Sequence, residues 1–295
     1  MESVVKTYHV PVLCDEAVEG LITDLDGIYV DATYGGGGHA RAILKKLSGK
    51  GRLYAIDKDP AAPLSVLQDE RFQGIRGDFR DIKELLARWE VERVHGILAD
   101  LGVSWHQLDT PERGFSYRWI APLDLRMNPS IGEPAWVWIG KQTISSLAKI
   151  LRLYGNLPKS HRLAKAILKN WHSEFTTGEL VACAEAVFGP KASHYSAPLF
   201  QAIRIAVNAE LEALERLLRA AEALIVPGGR LVILTYHSGE ARLVKAFIRT
   251  PYRWDPVTGH QQFQWRLLRK VRPSPTEVAR NPRSRSAILW VAEKT

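Results

Sequence analysis

The sequence predicts an α/β protein, a mostly parallel sheet domain interrupted by an inserted helical domain. Three observations support this. Short apolar β-type runs alternate with helical segments until about residue 100. From about Thr110 to Pro198 strand signals disappear while helical periods continue, and strand character then resumes near the carboxyl end. The expected domains are 1–109 joined with 199–295, and 110–198 as the insertion, expected to recognise the substrate.

Taken in order, Ile28 to Ala32 (IYVDA) reads as a first strand, followed by the glycines Gly35 to Gly38 and a helix over His39 to Leu47. Arg52 to Ile56 (RLYAI) is the second strand and ends at Asp57. Phe72 to Ile75 and Val94 to Leu98 follow as the third and fourth, with a helix over Ile82 to Trp89 between them. This strand–helix alternation is the signature of crossover connections. Within the insertion, Ser145–Tyr154 and His161–Trp171 have helical spacing. One long amphipathic helix is expected over Leu199 to Leu224. After it, PGGRLVILTYH (Pro227 to His237) reads as a turn and a strand, and Ser286 to Ala292 as the last strand.

With 46% hydrophobic and 24% charged residues the chain has a globular balance, which excludes disordered and fibrous classes. Cys14 and Cys183 are its only cysteines, too few and too far apart for a disulfide framework or a zinc site, so no metal is expected. The opening residues lack a signal-like apolar region, and no run is long enough to span a bilayer. The expectation is a cytoplasmic protein with no membrane partner. The net charge of +8 favours an acidic partner. Trp265 to Ser286 carries seven Lys/Arg against one Glu, with interleaved Trp and Pro, a composition suited to phosphate contacts. A solvated basic tail would read the same way.

Asp31-Ala-Thr-Tyr-Gly-Gly-Gly-Gly-His39 follows the first strand and opens a helix. Glycines there admit a ligand close to the backbone, and the free N–H groups of a helix start favour a phosphate or carboxylate. Asp57, at the second strand's end, is placed to bind ribose hydroxyls. Gly35, Gly37 and Ala40 satisfy the loose dinucleotide pattern, so NAD with an oxidoreductase activity and S-adenosylmethionine both remain open here. Two features lean toward S-adenosylmethionine: Asp31 lies in the strand-to-loop turn, where a methionine amino group would meet it, and Asp100 ends the fourth strand. His39 reads equally as a surface residue, and Phe79 either packs on adenine or belongs to the core.

The motifs DATYGGGGH, AIDKDP, DLGVSWHQLD, RGFSY…PLDLRM, FQAIRIAVNAEL and NPRSRSA, in this order, resemble the RsmH (MraW) family over nearly the whole chain. The resemblance implies a Rossmann-like, S-adenosylmethionine-dependent methyltransferase domain with a helical insertion. The implied activity is N4-methylation of a cytidine in the decoding region of small-subunit ribosomal RNA. The implied partner is that RNA or the assembling small subunit, with a homodimer allowed. Carried over by motif, the cofactor contacts fall on Gly37, Gly38, His39, Asp57, Phe79, Asp100 and Gln107, beside the Asp31 already nominated.

An exocyclic amine of cytosine is a poor nucleophile and must be held in line with the sulfonium methyl. Asp100 is the first choice for accepting its hydrogen bonds, with service to the cofactor alone as the alternative. The base must be unstacked to reach the methyl group. Trp105, Phe115 and Tyr117 are the candidate stacking residues, or else lid packing. Arg113 and Arg126, beside Asp124, either position phosphate or brace the loop. Asn208, Arg283 and Arg285 join them as candidate RNA contacts. His237, at the end of the fifth strand, is a candidate catalytic group or a structural histidine.

The sequence also departs from the family pattern. YGEE becomes YGNLP (Tyr154 to Pro158), FHSLEDR becomes YHSGEAR with Gly239 and Ala241, and DLGVSSPQLD acquires Trp105 and His106. An ATRT-type basic segment reads YSAPL (Tyr195 to Leu199). These changes implicate the base pocket and RNA-facing side rather than the cofactor loop. A divergent paralogue with another RNA target, or a weakly active assembly factor, is the alternative reading.

Overall fold

A computed structural model of the chain describes residues 11–254 and 261–295. The chain forms two compact units, one from the segments up to Gly102 and from Leu211 onward, the other from Val103 to Glu210. The break falls after Gly102 and Glu210, whereas the sequence pattern places it at 109 and 198. The flanking segments 103–109 and 199–210, expected in the sheet domain, lie inside the helical unit.

The strands are β1 (Ile28–Asp31), β2 (Arg52–Asp57), β3 (Phe72–Arg76), β4 (Val94–Asp100), β5 (Ile225–Thr235), β6 (Pro251–Trp254), β7 (Gln261–Phe263), β8 (Trp265–Val271) and β9 (Ile288–Lys294). The helices are α1 (Cys14–Leu21), α2 (Gly38–Lys46), α3 (Ile82–Ala87), α4 (Trp105–Asp109), α5 (Ala135–Gly140), α6 (Ile144–Gly155), α7 (Ser160–Asn170), α8 (Thr177–Phe188), α9 (Ala192–Asn208), α10 (Glu210–Leu224), α11 (Ser238–Arg249) and α12 (Pro275–Arg280).

In the sheet unit a seven-stranded sheet runs β3-β2-β1-β4-β5-β9-β8. β1 to β5 are mutually parallel, and β9 pairs antiparallel with both β5 and β8. Parallel strands buried on both faces read as continuous apolar runs, which is why β1 and β4 stand out in the sequence. In β4, Ile97 and Ala99 join one core with α3, α10 and α11, while Leu98 joins the other with α1 and α2. β1 pairs with β2 on one side and β4 on the other, so successive crossovers leave it in opposite directions. Such a switch point opens a crevice at the carboxyl ends of the strands, where open α/β sheets bind ligands.

The Trp265–Ser286 segment is not a solvated tail: it begins as the edge strand β8 and continues through α12. Only Trp265 of β8 is buried, and its charged residues face solvent.

The helical unit buries its own core, including Leu147, Leu151, Leu163, Ile167 and Phe175. The single helix expected over Leu199–Leu224 is two, α9 and α10, separated at Ala209, which takes a left-handed φ of 50°. No Gly or Pro marks the break, so helical spacing runs through it. Among the described residues no helix is long and apolar enough to cross a membrane.

Candidate active site

Three carboxylates stand at the carboxyl ends of strands flanking the switch point: Asp31 on β1, Asp57 on β2 and Asp100 on β4. The glycine loop between β1 and α2 is shaped around them. Gly35 (φ 53°) donates its N–H to Asp57 Oδ2 at 2.7 Å, tying the loop to the end of β2. Gly37 also has positive φ, 74°, and a Cβ there would lie 2.6 Å from the Tyr34 hydroxyl. Asp57 Oδ1 accepts from the Asp59 N–H at 2.8 Å. A carboxylate offers about four lone-pair positions, so Asp57 keeps capacity for ligand hydroxyls. Burial pushes its carboxyl above the ordinary range.

Asp31 is fully buried. Its Oδ1 accepts from the Thr33 N–H at 3.1 Å, while Oδ2 is buried with no hydrogen-bond partner. Loss of solvent pushes this carboxyl from 3.8 up to about 6, against the opposing influence of His39. A buried acceptor without a donor is costly, and a cationic ligand group relieves it. This oxygen is where the ligand-free site is least satisfied.

Asp100 is held on three sides. Its N–H donates to Thr33 Oγ1 at 2.6 Å, the Tyr236 hydroxyl donates to Oδ1 at 2.6 Å, and His39 Nδ1 lies 3.8 Å from Oδ2. Burial raises its carboxyl, while His39 and the Tyr236 hydrogen bond oppose the rise. Burial and the Asp100 charge drive the Tyr236 phenol well above its ordinary value, so it stays a donor. His39 is no surface residue: it is buried, with Nε2 3.1 Å from the Val12 carbonyl. A carbonyl only accepts, so Nε2 carries the proton and Nδ1 faces Asp100. Sequence pattern does not single out Tyr236, although its place directly after β5 and before His237 points to the ligand edge.

The other nominated residues divide by use. Phe79 is half-buried against a sheet core, in line with one of its two readings. His237 caps α11, its Nδ1 accepting from the N–H groups of Gly239 at 3.2 Å and Glu240 at 3.4 Å. Its Nδ1 is thus used structurally, while Nε2 is buried without a hydrogen-bond partner, 3.2 Å from Glu240 Oε1. Gly239 suits this cap, because a Cβ there would stand 3.0 Å from that Nδ1.

In the helical unit, Gln107 is buried and closes the capping box of α4, its Oε1 accepting from the Ser104 N–H at 3.0 Å. Trp105 opens the same helix and is 38% exposed. Tyr117 is 48% exposed, with its ring edge against Phe200 at 5.8 Å. Both remain open to a base. Phe115 does not, since it is buried in the helical core.

Arg126 pairs with Asp124 through two hydrogen bonds of 2.7 and 2.8 Å. Arg113 donates to the carbonyls of Arg126 at 3.0 Å and Met127 at 2.8 Å. Asn208 accepts from the Met127 N–H at 2.7 Å and donates to the Leu125 carbonyl at 2.7 Å. Leu125 sits at φ 60°, costly for a branched residue, and these bonds hold it there. Arg113, Arg126 and Asn208 therefore brace the Pro122–Met127 segment.

Of the altered positions, Asn156 takes the left-handed C-cap of α6 and Leu157 is buried in the helical core. Arg283 is half-buried and Arg285 exposed in the turn before β9.

A cluster of partly desolvated carboxylates with an unmet acceptor suits a ligand that brings positive charge. It suits the pyrophosphate of a dinucleotide poorly, because like charges would meet in low dielectric.

A family model described as the MraW methylase family matches residues 6–295. A ribosomal RNA small subunit methyltransferase H from Bacteroides thetaiotaomicron is 43% identical, covering 100% of both chains. The protein of that name from Porphyromonas gingivalis is 44% identical, covering 97% of each. Among solved structures, an rRNA methylase from Streptococcus thermophilus aligns over 95% of this chain and 93% of its own, at 16% identity and a TM-score of 0.39.

Proposed function

The chain belongs to the MraW methylase family, and on that footing we propose that it methylates the exocyclic N4 of a cytidine in the decoding region of small-subunit ribosomal RNA. The methyl donor is S-adenosylmethionine, which supplies an electrophilic methyl group on a positively charged sulfur. The observation that carries this reading is the carboxylate set at the switch point, with the partnerless Asp31 Oδ2 at its centre.

Each site residue then has a task. Asp31 takes the donor's ammonium group, and the Gly38 N–H at the start of α2 takes its carboxylate, the Gly37 N–H being donated to the Tyr34 carbonyl at 2.7 Å. Asp57 binds ribose hydroxyls with its remaining acceptor positions. Asp100, fixed by Thr33 and Tyr236, accepts a hydrogen bond from the cytosine amine and keeps its nitrogen aligned with the methyl carbon. As the N4–carbon bond forms, the carbon–sulfur bond breaks, sulfur leaves as a thioether, and one proton departs from N4. Asp100, its carboxyl raised by burial, receives that proton. Trp105 and Tyr117 are the exposed aromatics available to stack on an unstacked base.

The test uses methyl-labelled donor and small subunits from a strain lacking this gene, with the RNA then digested to nucleosides. Label is expected in N4-methylcytidine at a single position, and Asp100→Ala should reduce its appearance at least a hundredfold. Label in another nucleoside, or near wild-type turnover by the variant, would overturn the assignment.

A further inference from the structure

The hairpin of α6 and α7 carries positive charge that no carboxylate balances. From Pro134 to Ser173 the chain has seven Lys/Arg and no Asp or Glu. Lys141 pairs with Glu133, just outside this stretch. The other six, Lys149, Arg152, Lys159, Arg162, Lys165 and Lys169, are exposed, and among the described residues none has an ion-pair or hydrogen-bond partner.

Helical geometry gathers them. Lys149 and Arg152 lie three residues apart on α6, and Arg162, Lys165 and Lys169 lie three and four apart on α7. Neighbours at these spacings stand about 5–6 Å apart on a helix surface, and like charges so placed destabilise the helix. The α6 and α7 residues that face inward, among them Leu147, Leu151, Leu163 and Ile167, already fill the unit's own core. Some cations elsewhere in the chain are matched, Arg126 by Asp124, Arg204 by Glu210, Arg216 by Asp81, and Arg230 and Arg266 by Glu293. The α6–α7 stripe is uncompensated within its unit.

We infer that the outer face of the α6–α7 hairpin is a docking surface for the phosphate backbone of RNA. The inference rests on the ribosomal RNA reading above and adds to it the surface that grips the strand. Flexible, unpaired Lys and Arg heads at regular spacing neutralise successive phosphates and release their counterions. A lipid surface fits less well, because an interfacial helix must bury an apolar face in the bilayer and this hairpin's apolar face is already covered.

The test compares the wild type with the triple variant Arg162→Gln, Lys165→Gln, Lys169→Gln, using small-subunit ribosomal RNA over a series of salt concentrations. Each lost phosphate contact lowers the slope of log affinity against log salt by roughly 0.7–0.9, so the variant should lose about two to three. Near physiological salt its KM for RNA should rise on the order of 10–100-fold. kcat at saturating RNA and donor affinity should not change. Lys165→Arg with Lys169→Arg should keep the wild-type slope, which separates charge from any folding defect.

An unchanged slope and KM in the triple variant, with methyl transfer intact, would overturn the docking surface and leave the functional reading standing. Absence of methyl transfer to ribosomal RNA by the wild type would overturn both. Loss of binding to phosphatidylserine vesicles by the triple variant, with its RNA slope unchanged, would reassign the face to a membrane.

Discussion

Asp31→Asn should make the ligand-free protein more stable at pH 7.5 while impairing its binding of S-adenosylmethionine. The wild-type carboxyl is fully buried, one oxygen has no donor, and its pKa stands at about 6 instead of 3.8. At about 1.4 kcal/mol per pH unit, that rise is a penalty of about 3 kcal/mol for holding the charge in the folded state. The sign follows from proton binding. Between pH 3.8 and about 6 the folded state holds a proton the unfolded chain has lost, so stability falls as pH rises through that window and stays low above it. Asn removes the charge and still offers an oxygen to the Thr33 N–H.

The ligand-free melting temperature at pH 7.5 should therefore rise by up to about 6 °C, at roughly 2 °C per kcal/mol for a chain of this size. The stabilisation by donor should shrink, from about 2.7 kcal/mol at one hundred times the wild-type Kd, because the ammonium group has lost its counter-charge. Wild-type affinity should also weaken about tenfold between pH 7.5 and pH 5, as Asp31 gains a proton, and the variant should lack that share of the pH dependence. Thermal melts and titration calorimetry at both pH values measure all three quantities. A variant that melts lower without ligand, yet binds the donor with wild-type affinity, would refute the assignment of Asp31 as the cation site.

Tyr236→Phe removes the 2.6 Å hydrogen bond to Asp100. That bond opposes the burial-driven rise of the Asp100 carboxyl, so the acid limb of kcat/KM against pH should move to higher pH; an unmoved limb would show that the phenol does not tune Asp100. His237→Ala should cost about 1 kcal/mol in urea unfolding through loss of the α11 cap, and His237→Asn, a good capping residue, should restore both stability and methyl transfer. Restored stability without restored transfer would return His237 to the chemistry.

The parts of the fold legible in the sequence are those whose burial is symmetric or whose spacing is local. β1, β2 and β4 lie inside the sheet and read as apolar runs, and Asp31, Asp57 and Asp100 end them. β8 is an edge strand with five successive exposed residues, so WRLLRKV carries neither an apolar run nor a clean alternation. The chain turns at Ala209, inside the expected long helix, for a different reason. Asn208 is held to Leu125 and Met127, more than eighty residues earlier, and nothing next to Ala209 signals that tether. Distance along the chain also hides the roles of single residues. Arg113, Arg126 and Asn208 have side chains suited to phosphate, and no sequence pattern signals the backbone carbonyls, the N–H and the Asp124 carboxylate that they also hold. Tyr236 reads as a strand-end aromatic until its hydroxyl is found on Asp100, 136 residues away in sequence.

Charge separates along the same line as function. The chain carries +8 overall, yet its cofactor edge gathers Asp31, Asp57 and Asp100 in surroundings that raise the pKa of each. A phosphate entering that edge would meet carboxylates in low dielectric, where repulsion is strong, while a cationic donor is drawn in. A run of unpaired cations with no carboxylate among them lies instead at exposed positions of α6 and α7. A nucleic-acid substrate can therefore bring a base, but not its backbone, to the carboxylate edge. This makes extrusion of a single nucleotide an electrostatic requirement as well as a steric one. On the proposed reading Asp100 accepts from an amine, the uncharged donor group that a nucleobase can bring to an edge closed to phosphates.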